Sequence, residues 1–211
     1  MQTPLFFFQT FLRLFLLRTN WDQAALFLTL LFLLPPLQSK AQIKLWDKTY
    51  GGNREDAFKS VKKTSDGGYI LAGYSGSDKS GDKSEESKGG RDYWVVKVKA
   101  DGSKEWDKTF GGRNVDELQS IQQTKDNGYI LGGTSSSGQS GDKTQASKGE
   151  SDYWIVKLDA NGNKVWDKSL GGSNSDRLTT VQQTSDSGYI LGGYSHSGKS
   201  GDKSEECLKE E

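Results

Sequence analysis

Residues 46–105 read WDKTYGGNREDAFKSVKKTSDGGYILAGYSGSDKSGDKSEESKGGRDYWVVKVKADGSKE, and residues 106–165 read WDKTFGGRNVDELQSIQQTKDNGYILGGTSSSGQSGDKTQASKGESDYWIVKLDANGNKV. The two rows align without a gap and agree at 32 of 60 positions. A third row opens at Trp166 and follows the same pattern to Glu206. A fixed period of this length marks a repeat architecture, in which one unit cannot bury its apolar face alone and stacks on its neighbours. The units are 46–105, 106–165 and a shorter 166–211.

Each unit predicts four strands. In the first unit these are Phe58 to Thr64, Tyr69 to Ser75, Tyr93 to Lys99 and Lys104 to Phe110. Trp94, Val96 and Val98 recur at period two, as do Trp106, Lys108 and Phe110, and β-branched and aromatic residues dominate. Both features favour strand, and no apolar period of 3.6 competes. Ser65-Asp66-Gly67-Gly68 and Ala100-Asp101-Gly102-Ser103 join strands as tight hairpins. Gly68, Gly128 and Gly188 are expected in the left-handed region, closing a type I turn with a bulge. Ile43 to Tyr50 is expected to be a lone fourth strand.

Four antiparallel strands per repeat describe a β-propeller blade. The expected fold is therefore all-β: two full blades, 57–110 and 117–170, and partial blades at either end. Propellers close with about four or more blades, so an incomplete, open array is expected. Its free strand edges invite self-association. The third unit departs from the pattern at Cys207, where Ser-Lys-Gly would follow Glu206. That departure is what a truncated gene product would show.

The string W-D-K-[TS]-x-G-G, then D-x-G-Y-I-L-x-G, S-G-D-K and D-Y-W-[IV]-V-K resembles the sixty-residue repeats of secreted Bacteroidota proteins. Those are usually classed with bacterial β-propeller repeat families, and many carry a type IX secretion sorting domain. The resemblance spans residues 42–206 and implies an exported propeller-type protein. Nothing in residues 42–211 resembles the sorting domain itself.

Working outward, the first 41 residues are a different polymer. All three prolines and seven of nine phenylalanines lie there, and all 26 glycines lie beyond. Ala24 to Leu34 is an eleven-residue apolar core, short for a membrane span, followed by Pro35-Pro36 and Ser39-Lys40-Ala41. The arrangement predicts a signal peptide cleaved after Ala41, and hence a secreted, periplasmic or cell-surface protein without a membrane anchor. A retained anchor is the alternative. Residues 42–211 carry 25 basic and 27 acidic residues, a net charge of −2. No basic excess exists to neutralise nucleic-acid phosphates. One cysteine, Cys207, and one histidine, His196, exclude an intrachain disulfide framework and His-pair metal sites.

Candidate sites follow from the blade. Trp46, Trp106 and Trp166 somewhat resemble the docking motif of quinoprotein propellers, but alternation points to packing between blades. Trp94 and Trp154 are assigned the same structural role. Asp159-Ala160-Asn161-Gly162-Asn163 fits a D-x-N-x-N loop, yet Lys99 replaces Asp159 in the preceding copy and Leu170 stands where a bidentate Glu is needed. Thr64-x-Asp66-x-Gly68-Tyr69 resembles the Asp-box of sialidases, a structural turn. No metal or cofactor is expected. The long loops are expected to share one face and present Asp82, Lys83, Asp142, Lys143, Asp202 and Lys203. That face would bind an extracellular glycan or protein without catalysis. The competing reading is a fragment of a propeller enzyme, quinoprotein-like or glycan-active.

Overall fold

The computed structural model describes residues 46–206. The expected signal peptide and cleavage site, residues 43–45 and Cys207 lie outside the described residues. The strands are β1 (Asp56–Lys63), β2 (Tyr69–Ser75), β3 (Asp92–Val98), β4 (Lys104–Phe110), β5 (Asp116–Gln123), β6 (Tyr129–Ser135), β7 (Asp152–Leu158), β8 (Lys164–Leu170), β9 (Asp176–Gln183) and β10 (Tyr189–Ser195). They form antiparallel sheets in the orders β1-β2-β3-β4, β5-β6-β7-β8 and β10-β9. The fold is the all-β array of four-stranded, blade-like repeats, and it does not close on itself among the described residues. Residues 46–50 carry no strand, which corrects the expectation for Ile43 to Tyr50.

Successive sheets stack face to face, with β5 against β1, β2 and β3, and β9 against β5, β6 and β7. The larger core cluster lies at the first junction, and a smaller one, Trp94, Val96 and Val98 with Tyr50 and Phe58, lies on the other face of the first sheet. To the larger cluster the first sheet contributes Ile70, Ala72, Tyr93, Val95 and Phe110, and the second Leu118, Ile121, Leu131, Trp154, Val156 and Leu158. At some repeated positions the place along the array, rather than the residue type, sets burial. Ile121 and Val181 are buried, while Val61, one period earlier with no sheet before it among the described residues, is 56% exposed. Ile70 and Ile130 are buried, while Ile190 is 61% exposed.

Strand β1 resists a period-two reading because it carries a bulge between Phe58 and Ser60, repeated between Leu118 and Ser120. An extra residue in one strand lets two side chains three apart face the same way. Leu118 and Ile121 therefore both enter the core.

The β1–β2 turn corrects one expectation. The left-handed residue is Gly67 (φ 86°), Asn127 (φ 62°) or Ser187 (φ 70°), not the glycine that follows. Gly68 and Gly128 are needed for a different reason: a Cβ on Gly128 would lie 2.3 Å from the Leu158 carbonyl oxygen, and one on Gly68 2.3 Å from that of Val98. The third strand passes too close for any side chain. At Gly188 the nearest atom would be Thr184 Oγ1 at 3.0 Å, with no third strand beside it among the described residues. Gly128→Ala is expected to lower stability by about 1–3 kcal/mol through overpacking. Gly188→Ala should change it by less than about 0.5 kcal/mol. Denaturant titration of the two variants distinguishes these outcomes.

Asp66 ties that turn to the sheet. It accepts from Gly68 N at 3.0 Å and pairs with buried Lys97 at 2.8 Å. The hydrogen bonds from Lys97 and Thr64 hold its carboxyl down to about 2. The Asp126–Lys157 pair, at 2.9 Å, repeats the arrangement one unit later. The Asp-box-like motif is thus a structural turn here.

Candidate functional site

The long loops and the Gly-Gly connections meet at one end of the sheets, and a repeated hydrogen-bond set fixes them there. Gly51 N donates to Asp82 Oδ2 (3.2 Å), Asp82 N to Gly51 O (2.8 Å), Asn53 N to Ser80 Oγ (3.0 Å) and Arg54 N to Ser77 Oγ (2.8 Å). The same bonds recur at Gly111 with Asp142 and at Gly171 with Asp202. Lys88 approaches Asp142 at 3.5 Å, and Lys148 pairs with Asp202, so each long loop is also tied to the next. Asp82, Asp142 and Asp202 therefore hold loops in place.

Their lysine neighbours do not face solvent, which corrects the expected binding face. Lys83 and Lys143 are each 2% exposed, and Lys203 is half-buried with its ammonium donating to Ser197 O. Lys143 donates to Ser169 Oγ (2.6 Å), Gln145 O (2.8 Å) and Ser147 Oγ (3.4 Å). Burial pushes its pKa down, opposed by Asp116, Asp152 and Asp167. Around it, burial pushes the Asp116 and Asp152 carboxyls up. Asp116 Oδ2 accepts from Gly112 N (2.7 Å) and Ser137 Oγ (2.9 Å), while its Oδ1 is buried without a hydrogen-bond partner. In each full blade one of the two buried lysines, Lys83 or Lys143, thus compensates carboxylates that cap loops.

Trp154 and Trp106 lie in the first junction and Trp166 reaches the second, whereas Trp94 and Trp46 pack on the other face of the first sheet. Trp94 and Trp154 are fully buried, and their Nε1 atoms donate to Asp107 (3.2 Å) and Asp167 (3.0 Å). Trp46 donates to Ala100 O (2.8 Å) and meets Tyr69 edge-on at 6.1 Å. Trp106 and Trp166 meet Tyr129 and Tyr189 in the same manner at 6.0 and 5.7 Å. Asp159 accepts from Asn161 N (2.9 Å) and Asn163 N (2.8 Å), so the D-x-N-x-N string is a hairpin turn. Among the described residues, no group of three or more His, Cys, Asp or Glu side chains could hold a metal ion.

A cleft of about 390 Å³ opens where the second and third sheets meet. Val115, Glu117, Gln119, Thr134, Ser151, Arg177, Thr179 and Tyr194 are among the residues that line it. The equivalent place in the first junction is plugged. There Arg91 forks between Glu55 (2.6 Å) and Glu117 (2.7 Å), its guanidinium 4.9 Å from the centre of the Tyr74 ring. Tyr74 Oη donates to Glu55 at 3.2 Å, and the Arg91 fork holds the Glu55 carboxyl below its usual range. One period on, Glu55 becomes Val115, Tyr74 becomes Thr134 and Arg91 becomes Ser151. All three plug residues are replaced by smaller ones, and all three replacements line the cleft.

The cleft offers hydroxyls, an amide, a carboxylate, a guanidinium and a 48%-exposed tyrosine ring. Arg177 makes no ion pair among the described residues. Matching positions between repeats do not reveal this place; the signal is the three differing positions, which the sheet register gathers into one junction. No protein-family model matches the chain, and no curated protein matches its sequence. Fold and cleft together define a class: a stacked β-blade module with a recessed polar site between two of its sheets.

Proposed function

We propose that the chain is a non-catalytic, exported binding module that takes a saccharide in the cleft between the second and third sheets. The observation that carries this reading is the unplugged second junction beside the plugged first. A cleft of this volume falls within the ~300–1,000 Å³ range of small-molecule sites. Thr134, Ser151, Thr179 and Gln119 can donate to and accept from sugar hydroxyls. Tyr194 supplies a flat apolar face with a polar tip. Arg177 suits a carboxylate-bearing sugar, through two parallel hydrogen bonds.

Glycoside hydrolysis uses two carboxyl groups about 5–9.5 Å apart. Glu117 is the one carboxylate among the lining residues, and Arg91 engages it. This favours binding over cleavage. Membership among secreted Bacteroidota repeat proteins, and a place at the cell surface, belong to the same proposal. A glycan array probed with the protein tests it. Binding to a saccharide that falls at least about tenfold in Tyr194→Ala, with unchanged melting, is the expected result. No binding, or binding indifferent to Tyr194 and Arg177 substitutions, would refute the reading.

A further inference from the structure

Strands β2 and β6 are each flanked on both sides, but β10 pairs with β9 alone among the described residues. Its sequence, YILGGYS, has none of the prolines or charges that blunt exposed edges. Beside that edge lies an opening of about 280 Å³ lined by Tyr153, Leu170, Asp176, Leu191, Asp202 and Lys203. Sixty residues earlier, the same positions surround β7. Trp154 lies 4.7 Å from Tyr93 between ring centres, in one core with Phe110 and Leu131. Tyr93 Oη donates to the Trp154 carbonyl at 2.9 Å. Tyr153 Oη stands against Gly193 as Tyr93 Oη stands against Gly133, each 2.7 Å from where a Cβ would be. Lys203 is the repeat counterpart of Lys143, which feels the charge of Asp152.

We propose that this opening is a docking slot for an extended strand donated by another chain, of the type Asp-Tyr-Trp-(Ile/Val)-Val-Lys. The register follows from the complete sheets, where Gly73 faces Trp94 and Gly133 faces Trp154, while Ser75 and Ser135 face Asp92 and Asp152. The donated strand runs antiparallel to β10, with its Asp opposite Ser195 and its Trp opposite Gly193. Backbone hydrogen bonds along the edge supply affinity. The tryptophan, packed on Tyr153, Leu170 and Leu191, and the acid facing Lys203 supply selectivity. The inference rests on sheet geometry and is independent of the saccharide reading.

The test is a labelled synthetic peptide, Ser-Asp-Tyr-Trp-Ile-Val-Lys-Leu, titrated into the full chain by fluorescence anisotropy. Saturable one-to-one binding is expected, with slowed amide exchange across 189–195. Replacing the peptide's tryptophan by alanine should weaken binding more than about thirtyfold. Tyr153→Phe in the protein, which keeps the ring and removes the donor, should weaken it about fivefold. Absence of binding, or equal binding of both peptides, overturns the proposal. So does binding seen only after deletion of residues 207–211, since the chain's own end would then fill the slot.

Discussion

Trp154→Ala is expected to destabilise the chain by about 3–5 kcal/mol, the range for emptying a buried aromatic site. Trp154 is fully buried, packs against Tyr93 across the junction and donates to Asp167. Its loss removes apolar contact from both sheets and leaves Asp167, whose side chain is fully buried, with one donor fewer. Asp167 keeps Lys164 (3.0 Å) and Thr144 N (3.0 Å), so the cavity dominates the cost. Because stacked units share their interfaces, the damage is not confined to the second sheet. The counterpart Tyr194→Ala, at a 48%-exposed site, should change stability by less than about 0.5 kcal/mol. Equilibrium denaturation of both variants reads the difference directly. Similar losses at the two sites would mean that burial in the junction is not what holds the array together.

Lys143→Met has the second-largest expected effect, about 3–5 kcal/mol near neutral pH. Methionine fills much of the same volume, so the loss is mainly electrostatic. It leaves the buried Asp116 and Asp152 carboxylates without the ammonium that faces them. The pH dependence has a definite sign. Both carboxyls are already pushed above their usual value by burial, and removing Lys143 pushes them further. For a carboxyl whose folded-state pKa exceeds the unfolded value, folding favours the protonated form. Stability is then greatest below the unfolded pKa, roughly 3.9, and declines as pH rises through the folded pKa. The deficit of Lys143→Met relative to the parent should therefore shrink as pH falls toward the acid range. Melting curves across pH check this; a deficit constant with pH would show that the ammonium is not balancing those carboxylates.

Much of the architecture is readable in the sequence, for local reasons. Strand and hairpin signals are short-range, so Tyr69–Ser75 and Lys104–Phe110 can be delimited from alternation and from the turns beside them. What is not readable is tertiary. The glycine at 68 and 128 looks like a turn residue, yet its need comes from a carbonyl thirty residues away in the third strand. Lys83 and Lys143 sit in loops rich in serine and glycine, which reads as solvated surface. Only the folded loop shows that their ammonium groups turn inward to balance capping aspartates. The Phe58–Val61 spacing defies alternation because a bulge, invisible in composition, resets the register. The cleft is subtler still. Glu55, Tyr74 and Arg91 lie far apart in sequence, and only the sheet pairing makes their joint replacement by Val115, Thr134 and Ser151 amount to one missing plug.

That replacement can be reversed. Thr134→Tyr restores the ring, and Ser151→Glu restores a long side chain with its charge exchanged to suit Arg177 in place of Glu117. Calorimetric titration of the parent and of the Thr134→Tyr/Ser151→Glu variant with the saccharide selected on the array is the most direct measurement. Saturable binding by the parent, lost in the refilled variant at unchanged melting temperature, is the predicted result. Equal binding by the two proteins would contradict the assignment of function to this cleft.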